Sequence, residues 1–150
     1  MKIRKFSLGL FLGLGLFGGM QSATAQMAAS SVNCMYTWCW TYVQVVPGPS
    51  GPVVSTTWNE FRMPNKLSGV TFAWMLVGSP DYEFRTDSVV ITGANAPGSA
   101  AQLPFRQVLP ERYAMDDLNT NSLTYTYELR VYRKGSPTPL TSNGSIVNSY

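Results

Sequence analysis

In "LTYTYELRVY", residues 123–132, Leu123, Tyr125, Tyr127, Leu129 and Val131 share one face and Thr124, Thr126, Glu128 and Arg130 the other. Period-two alternation predicts a half-buried strand. "VTFAWMLV" repeats the pattern through Val70, Phe72, Trp74 and Leu76, and "CWTYVQVV", "VVSTTWNEFR", "YEFR", "SVVIT" and "ERYAM" carry it more weakly. No stretch sustains a helical period. Turn-formers separate these runs: "PGPSGP" at 47–52, "GSPD" at 78–81, "TGANAPGSAAQLP" at 92–104 and "KGSPTPLTSNGS" at 134–145. About seven short strands with turn signals at this spacing predict an antiparallel β-sandwich. An outer-membrane barrel competes, since Tyr150 ends the chain on an aromatic. Eight strands of about 10 residues plus loops would need nearly every residue, and proline and glycine interrupt too often.

The first 25 residues read differently. Lys2, Arg4 and Lys5 precede an apolar run, "FSLGLFLGLGLFGG", and the small residues Ala23, Thr24 and Ala25 follow. This is the pattern of a secretory signal peptide, its core shorter than the roughly 20 residues that span a bilayer. Cleavage is expected after Ala25, leaving 26–150 as one domain in the periplasm or outside the cell, with no stable membrane anchor. The leader holds three of the chain's 11 basic residues, leaving eight against eight acidic ones. A neutral chain offers no electrostatic footprint for nucleic acid.

The stretch "NCMYTWCWTYV" holds both cysteines, Cys34 and Cys39. Their spacing fits neither a C-x-x-C redox pair nor a zinc knuckle, and the chain has no histidine. In an oxidising compartment the pair is expected to bridge. Along one straight strand the two Cα atoms would lie about 16 Å apart, beyond the roughly 7 Å limit, so a bridge requires a reversal through Met35, Tyr36, Thr37 and Trp38. If the segment is instead extended, Tyr36, Trp38, Trp40 and Tyr42 form one stripe, either buried as core or exposed as a platform for sugar rings or peptide. The closed turn and the extended stripe are expected to exclude each other.

"DLNTNSLTYTYE", 117–128, comes close to the EF-hand calcium loop but has Ser122 where that loop needs glycine. A strand beginning by Leu123 would also carry Glu128 at least about 16 Å away from the turn. A smaller calcium site of Asp116, Asp117, Asn119 and Asn121 is the weak metal candidate, against a plain polar turn. No cofactor is expected.

Trp74-x-Leu76, Tyr82-x-Phe84 with Ser88, Val89 and Ile91, Asp117-x-Asn119 leading to Tyr125-x-Tyr127-x-Leu129-x-Val131, and Ile146-x-Asn148 together resemble a loosely defined group of small exported bacterial proteins. The resemblance covers roughly 70–148 and implies an immunoglobulin-like β-sandwich and no activity. The chain departs from the group's pattern at Asn143-Gly144 and Ser122. Independently, Tyr125 or Tyr127 stands where a tyrosine corner would lie.

The eight carboxylates follow no catalytic motif, and there is no G-x-S-x-G elbow or phosphate-binding glycine loop. The expected role is therefore non-catalytic: protein–protein contact in the bacterial envelope, through strand edges and the 92–104 and 134–145 loops, with a protein partner of unknown identity. An inhibitor or immunity-type partner of another enzyme is one alternative. A carbohydrate-binding module is another, and it requires the 36–42 stripe to be exposed. Asn143-Gly144-Ser145 is a formal glycosylation sequon, read here as a loop turn.

Overall fold

The computed structural model describes residues 30–63, 67, 69–93, 105–118 and 122–149. The expected leader at 1–25, Asn119, Asn121 and the 92–104 loop beyond Gly93 lie outside the described residues. Among those described there are eleven strands and no helix. In chain order they are β1 (Ser31–Asn33), β2 (Trp38–Gly48), β3 (Gly51–Thr56), β4 (Glu60–Met63), β5 (Val70–Leu76) and β6 (Tyr82–Glu83). Then follow β7 (Val89–Gly93), β8 (Phe105–Leu109), β9 (Arg112–Asp117), β10 (Thr124–Arg133) and β11 (Pro139–Asn148).

The strands form two sheets. The first runs β1, β4, β11, β10, with β6 and β7 sharing the free edge of β10, and the second runs β3, β2, β5, β9, β8. An all-β, two-sheet sandwich was expected, but three pairs are parallel: β1 with β4, β4 with β11, and β2 with β5. The cause is the path after the β2–β3 hairpin, where the chain crosses to the first sheet for β4 and returns to the second for β5. "VVSTTWNEFR" is therefore not one strand but two, one in each sheet. That split, together with the unexpected strands β1, β8 and β11, raises the count from about seven to eleven.

Alternation places the core. Tyr125, Tyr127, Leu129 and Val131 of β10 are buried while Thr124 and Thr126 are exposed. The first five residues of β5, Val70 to Trp74, are all buried, as suits a strand central to its sheet. Trp74 projects between the sheets, and its ring meets Tyr127 (5.2 Å), Phe61 (5.5 Å) and Tyr113 (6.1 Å) edge to face. Edge-to-face pairs of this kind add about 0.5–1.5 kcal/mol beyond the area they bury.

Burial of so polar an aromatic pair requires hydrogen bonds. The Trp74 indole N–H donates to the Tyr127 hydroxyl (3.3 Å), which donates to the Asn59 carbonyl (3.4 Å). Burial pushes the Tyr127 phenol well above its ordinary value. Its partner is a distant strand junction, 68 residues upstream, so Tyr127 is a cross-core tether and not the corner tyrosine expected.

The 134–145 segment is the clearest correction. Only residues 134–138 turn, with Gly135 at φ 80°, and β11 begins at Pro139, paired on both flanks by β10 and β4. Asn143 and Gly144 lie inside this strand, opposite Glu128 and Tyr127. A Cβ at Gly144 would land on the Tyr127 phenol and the Asn59 carbonyl, so glycine here makes room for the tether and marks no turn. Gly144→Ala is therefore expected to destabilise the fold by roughly 1–3 kcal/mol or more, as overpacking does. A urea-unfolding midpoint unchanged from wild type would contradict this.

Candidate functional site

The structure joins Cys34 and Cys39 in a disulfide with Cα atoms 5.4 Å apart. Cys34 still belongs to the first sheet, its N–H donating to the Arg62 carbonyl (2.8 Å), whereas Cys39 is the second residue of β2 in the second sheet. The bridge thus ties the two sheets where the chain crosses between them, and both cysteines are buried.

The expectation that bridge and stripe exclude each other is wrong. The reversal uses only Met35, Tyr36 and Thr37, and the chain is already extended at Trp38, where β2 begins its parallel pairing with β5. The Thr37 carbonyl accepts from the Thr71 N–H (2.8 Å), which sets that register. Closing the bridge turns Cys39 inward. Because successive strand residues point to opposite faces, Thr41 and Val43 follow it into the core and Trp38, Trp40 and Tyr42 face outward. Their exposures are 41%, 50% and 45%. Only Tyr36 leaves the row, standing in the bend at 75% exposure beside Met35 at 69%.

Two-residue steps of about 6.6 Å put the first and third rings about 13 Å apart. Beside them on the same face of β5 and β9 lie Ala73 and Ala114, paired with each other and buried, a floor of small side chains. Gln44 continues the row beyond Tyr42, and Val53 and Ser55 of β3 share its face. None of these is charged, and no charged residue occurs between Lys5 and Glu60. Among the described side chains of this face, charge enters at β9, where Asp116 accepts from the Thr71 hydroxyl (2.6 Å) and Arg112 pairs with Met75.

Trp58 is held beside β2 by the inward-facing Thr41. The Thr41 hydroxyl donates to the Trp58 carbonyl and accepts from its N–H, both at 2.9 Å, and Trp58 stays 37% exposed. Three tryptophans are thus accessible, while Trp74 is wholly buried.

Of the weak calcium candidates only Asp116 and Asp117 are among the described residues, and these two do not converge. Asp116 and Asp117 are successive residues of β9 and point to opposite faces. Asp117 is fully buried and accepts from Asn148 Nδ2 (3.3 Å), linking the end of β9 to the end of β11 across the sandwich. Among the described residues no three histidine, cysteine or acidic side chains gather as a metal site.

An open cleft of about 340 Å³ lies where β5 ends, lined by Leu76, Ser79, Tyr82, Pro110, Glu111 and Lys134. The Ser79 hydroxyl is committed to structure, accepting from the Val45 N–H (2.9 Å) and donating to the Val77 carbonyl (3.2 Å).

A second polar cluster sits on the β10 edge. Asp87 accepts from the Tyr132 hydroxyl (2.6 Å) and from Arg130 (3.4 Å), while Arg130 also pairs with Glu128 (2.7 Å). The Arg85 guanidinium stacks over the Tyr132 ring at 4.4 Å. The Tyr132 hydrogen bond holds the Asp87 carboxyl below its ordinary 3.8, and burial followed by Asp87 pushes the Tyr132 phenol up.

No protein-family model matches the chain, and no curated protein does. Among the described residues no helix is long and apolar enough to cross a membrane.

Two outcomes are expected. Replacing both cysteines by alanine removes a bridge of sequence separation five, lowering unfolding free energy by about 2 kcal/mol in thermal or urea melts. An unchanged melt would refute a structural role. For Asp87, a depressed folded value means its stabilisation is complete above 3.8 and fades as pH falls through the lower folded value. The stability difference between wild type and Asp87→Asn should therefore be flat near about pH 7 and vanish in strong acid. A difference that grows on acidification would reverse the assignment.

Proposed function

We propose that this chain is an exported, non-catalytic, immunoglobulin-like module that binds carbohydrate through the aromatic face of its second sheet. One observation carries the reading: Trp38, Trp40 and Tyr42 stand in a row, each about half exposed, on a face whose neighbouring side chains are uncharged. Half-exposed rings seated on a sheet offer flat apolar surface at little entropic cost, which suits stacking against the C–H faces of sugars. Gln44 and Ser55 add hydrogen-bonding groups beside them.

Export is supported by the basic, apolar and A-x-A order of the leader, and an oxidising compartment by the disulfide. The immunoglobulin-like assignment draws support from two facing sheets, a buried tryptophan between them and an inter-sheet bridge. The absence of histidine and the structural use of Ser79 weigh against nucleophilic catalysis.

Protein contact is the second reading, favoured by Met35 and Tyr36 at the apex of the disulfide loop. Rigid, exposed apolar groups of this kind make contact points for a protein partner.

Tryptophan fluorescence titrated with peptidoglycan and glycan fragments tests the first reading, with Trp74 as a silent internal reference. Trp40→Ala should leave the fold intact and weaken binding at least about tenfold, or about 1.4 kcal/mol. No spectral change at millimolar glycan would refute carbohydrate binding. Loss of a captured protein partner on Met35→Ala/Tyr36→Ala would then favour the second reading.

A further inference from the structure

We infer that the aromatic row and the cleft at the end of β5 form one elongated site for a linear, uncharged oligosaccharide whose terminal sugar sits in the cleft. This rests on the carbohydrate reading above and adds where the chain ends. The register carries it. Trp38, Trp40 and Tyr42 lie opposite Thr71, Ala73 and Met75 on β5, so the row advances toward the end of β5 where the cleft opens. Gln44 is the next outward residue, and its amide nitrogen lies alongside Gly78, on the cleft wall. The same junction is held rigidly. Val77 donates to the Val43 carbonyl (2.9 Å), Val45 donates to Ser79, and Gly78 takes a φ of 61° that favours glycine.

From Trp38 to Gln44 is three two-residue steps, about 20 Å, so a ligand reaching from the first ring to the cleft needs several sugar units. The cleft, at about 340 Å³, is at the lower end of the roughly 300–1,000 Å³ range of small-molecule pockets and suits one sugar, not a folded chain. Its walls supply the usual mixture: the flat apolar surfaces of Pro80, Tyr82 and Pro110, with Glu111 and Lys134 as polar groups for hydroxyls. One acid and one base leave the lining formally neutral, as is the whole β2–β3 hairpin, which selects against strongly charged polymers.

Chito-oligosaccharides and cello-oligosaccharides of two to six units, titrated against tryptophan fluorescence and calorimetry, test the inference. Affinity in at least one series should climb with length and level off once the chain spans row and cleft. Glu111→Gln/Lys134→Gln, both on turns, should weaken binding of the six-unit chain by about tenfold while leaving the two-unit chain within about twofold. Circular dichroism checks that this variant is folded. If Trp40→Ala abolishes binding but the Glu111/Lys134 variant binds every length as wild type does, the cleft assignment is overturned and the carbohydrate reading stands. If neither series binds wild type at any length, both fall.

Discussion

One buried sulfur–sulfur bond decides which way β2 faces. Cys34 is held by the first sheet and Cys39 must turn toward it, so the parity of every later residue of β2 is set by that single inward side chain. Slip the strand by one residue and Trp38, Trp40 and Tyr42 would face the core while Thr41 and Val43 faced water. The bridge closes a very short loop, and its direct stabilisation is modest. Its larger effect is to make one register the only one compatible with a closed core, and the aromatic face follows from that register.

The core reinforces the arrangement from the other side. β5 carries Trp74 inward and Ala73 outward, so the same strand anchors the sandwich and provides the floor beside the exposed rings. Trp74, Tyr127 and the Asn59 carbonyl run in one hydrogen-bonded line across the two sheets, and the line passes through the space that Gly144 leaves open. The outer face is flat and stable because the inner one is filled and satisfied.

Much of this is legible in residue order, and the rest fails for physical reasons. β10 is visible because period-two alternation reports directly which side is wet, whereas β5 is buried on both faces through Trp74 and alternation alone leaves open whether the aromatic side of β2 meets core or water. What alternation does not report is which sheet a strand joins, so the crossing between β3 and β4 and the three parallel pairs stay hidden. β11 is masked by its own composition: proline, serine, asparagine and glycine suggest a turn, yet the strand is imposed by neighbours on both flanks and its glycine serves a phenol 17 residues upstream. The cysteine stretch is not one conformational unit: three residues suffice to reverse the chain before the strand begins, a division that the order of residues 34–39 does not mark. Asp116 and Asp117 look like neighbouring ligands on paper, but strand geometry separates adjacent side chains by a whole sheet thickness.

The position of β11 has a consequence for how the molecule comes into being. β11 lies inside the first sheet, hydrogen-bonded to β4 on one side and β10 on the other. Until it arrives, β4 has only the three-residue β1 for company, and the Tyr127 tether lacks the strand that runs beneath it. Chain-length-spanning pairs such as Ser145 with Glu60 raise contact order and slow the search for the native topology. A chain that has not yet placed β11 therefore lacks a complete first sheet, and the sandwich assembles as a unit around that strand.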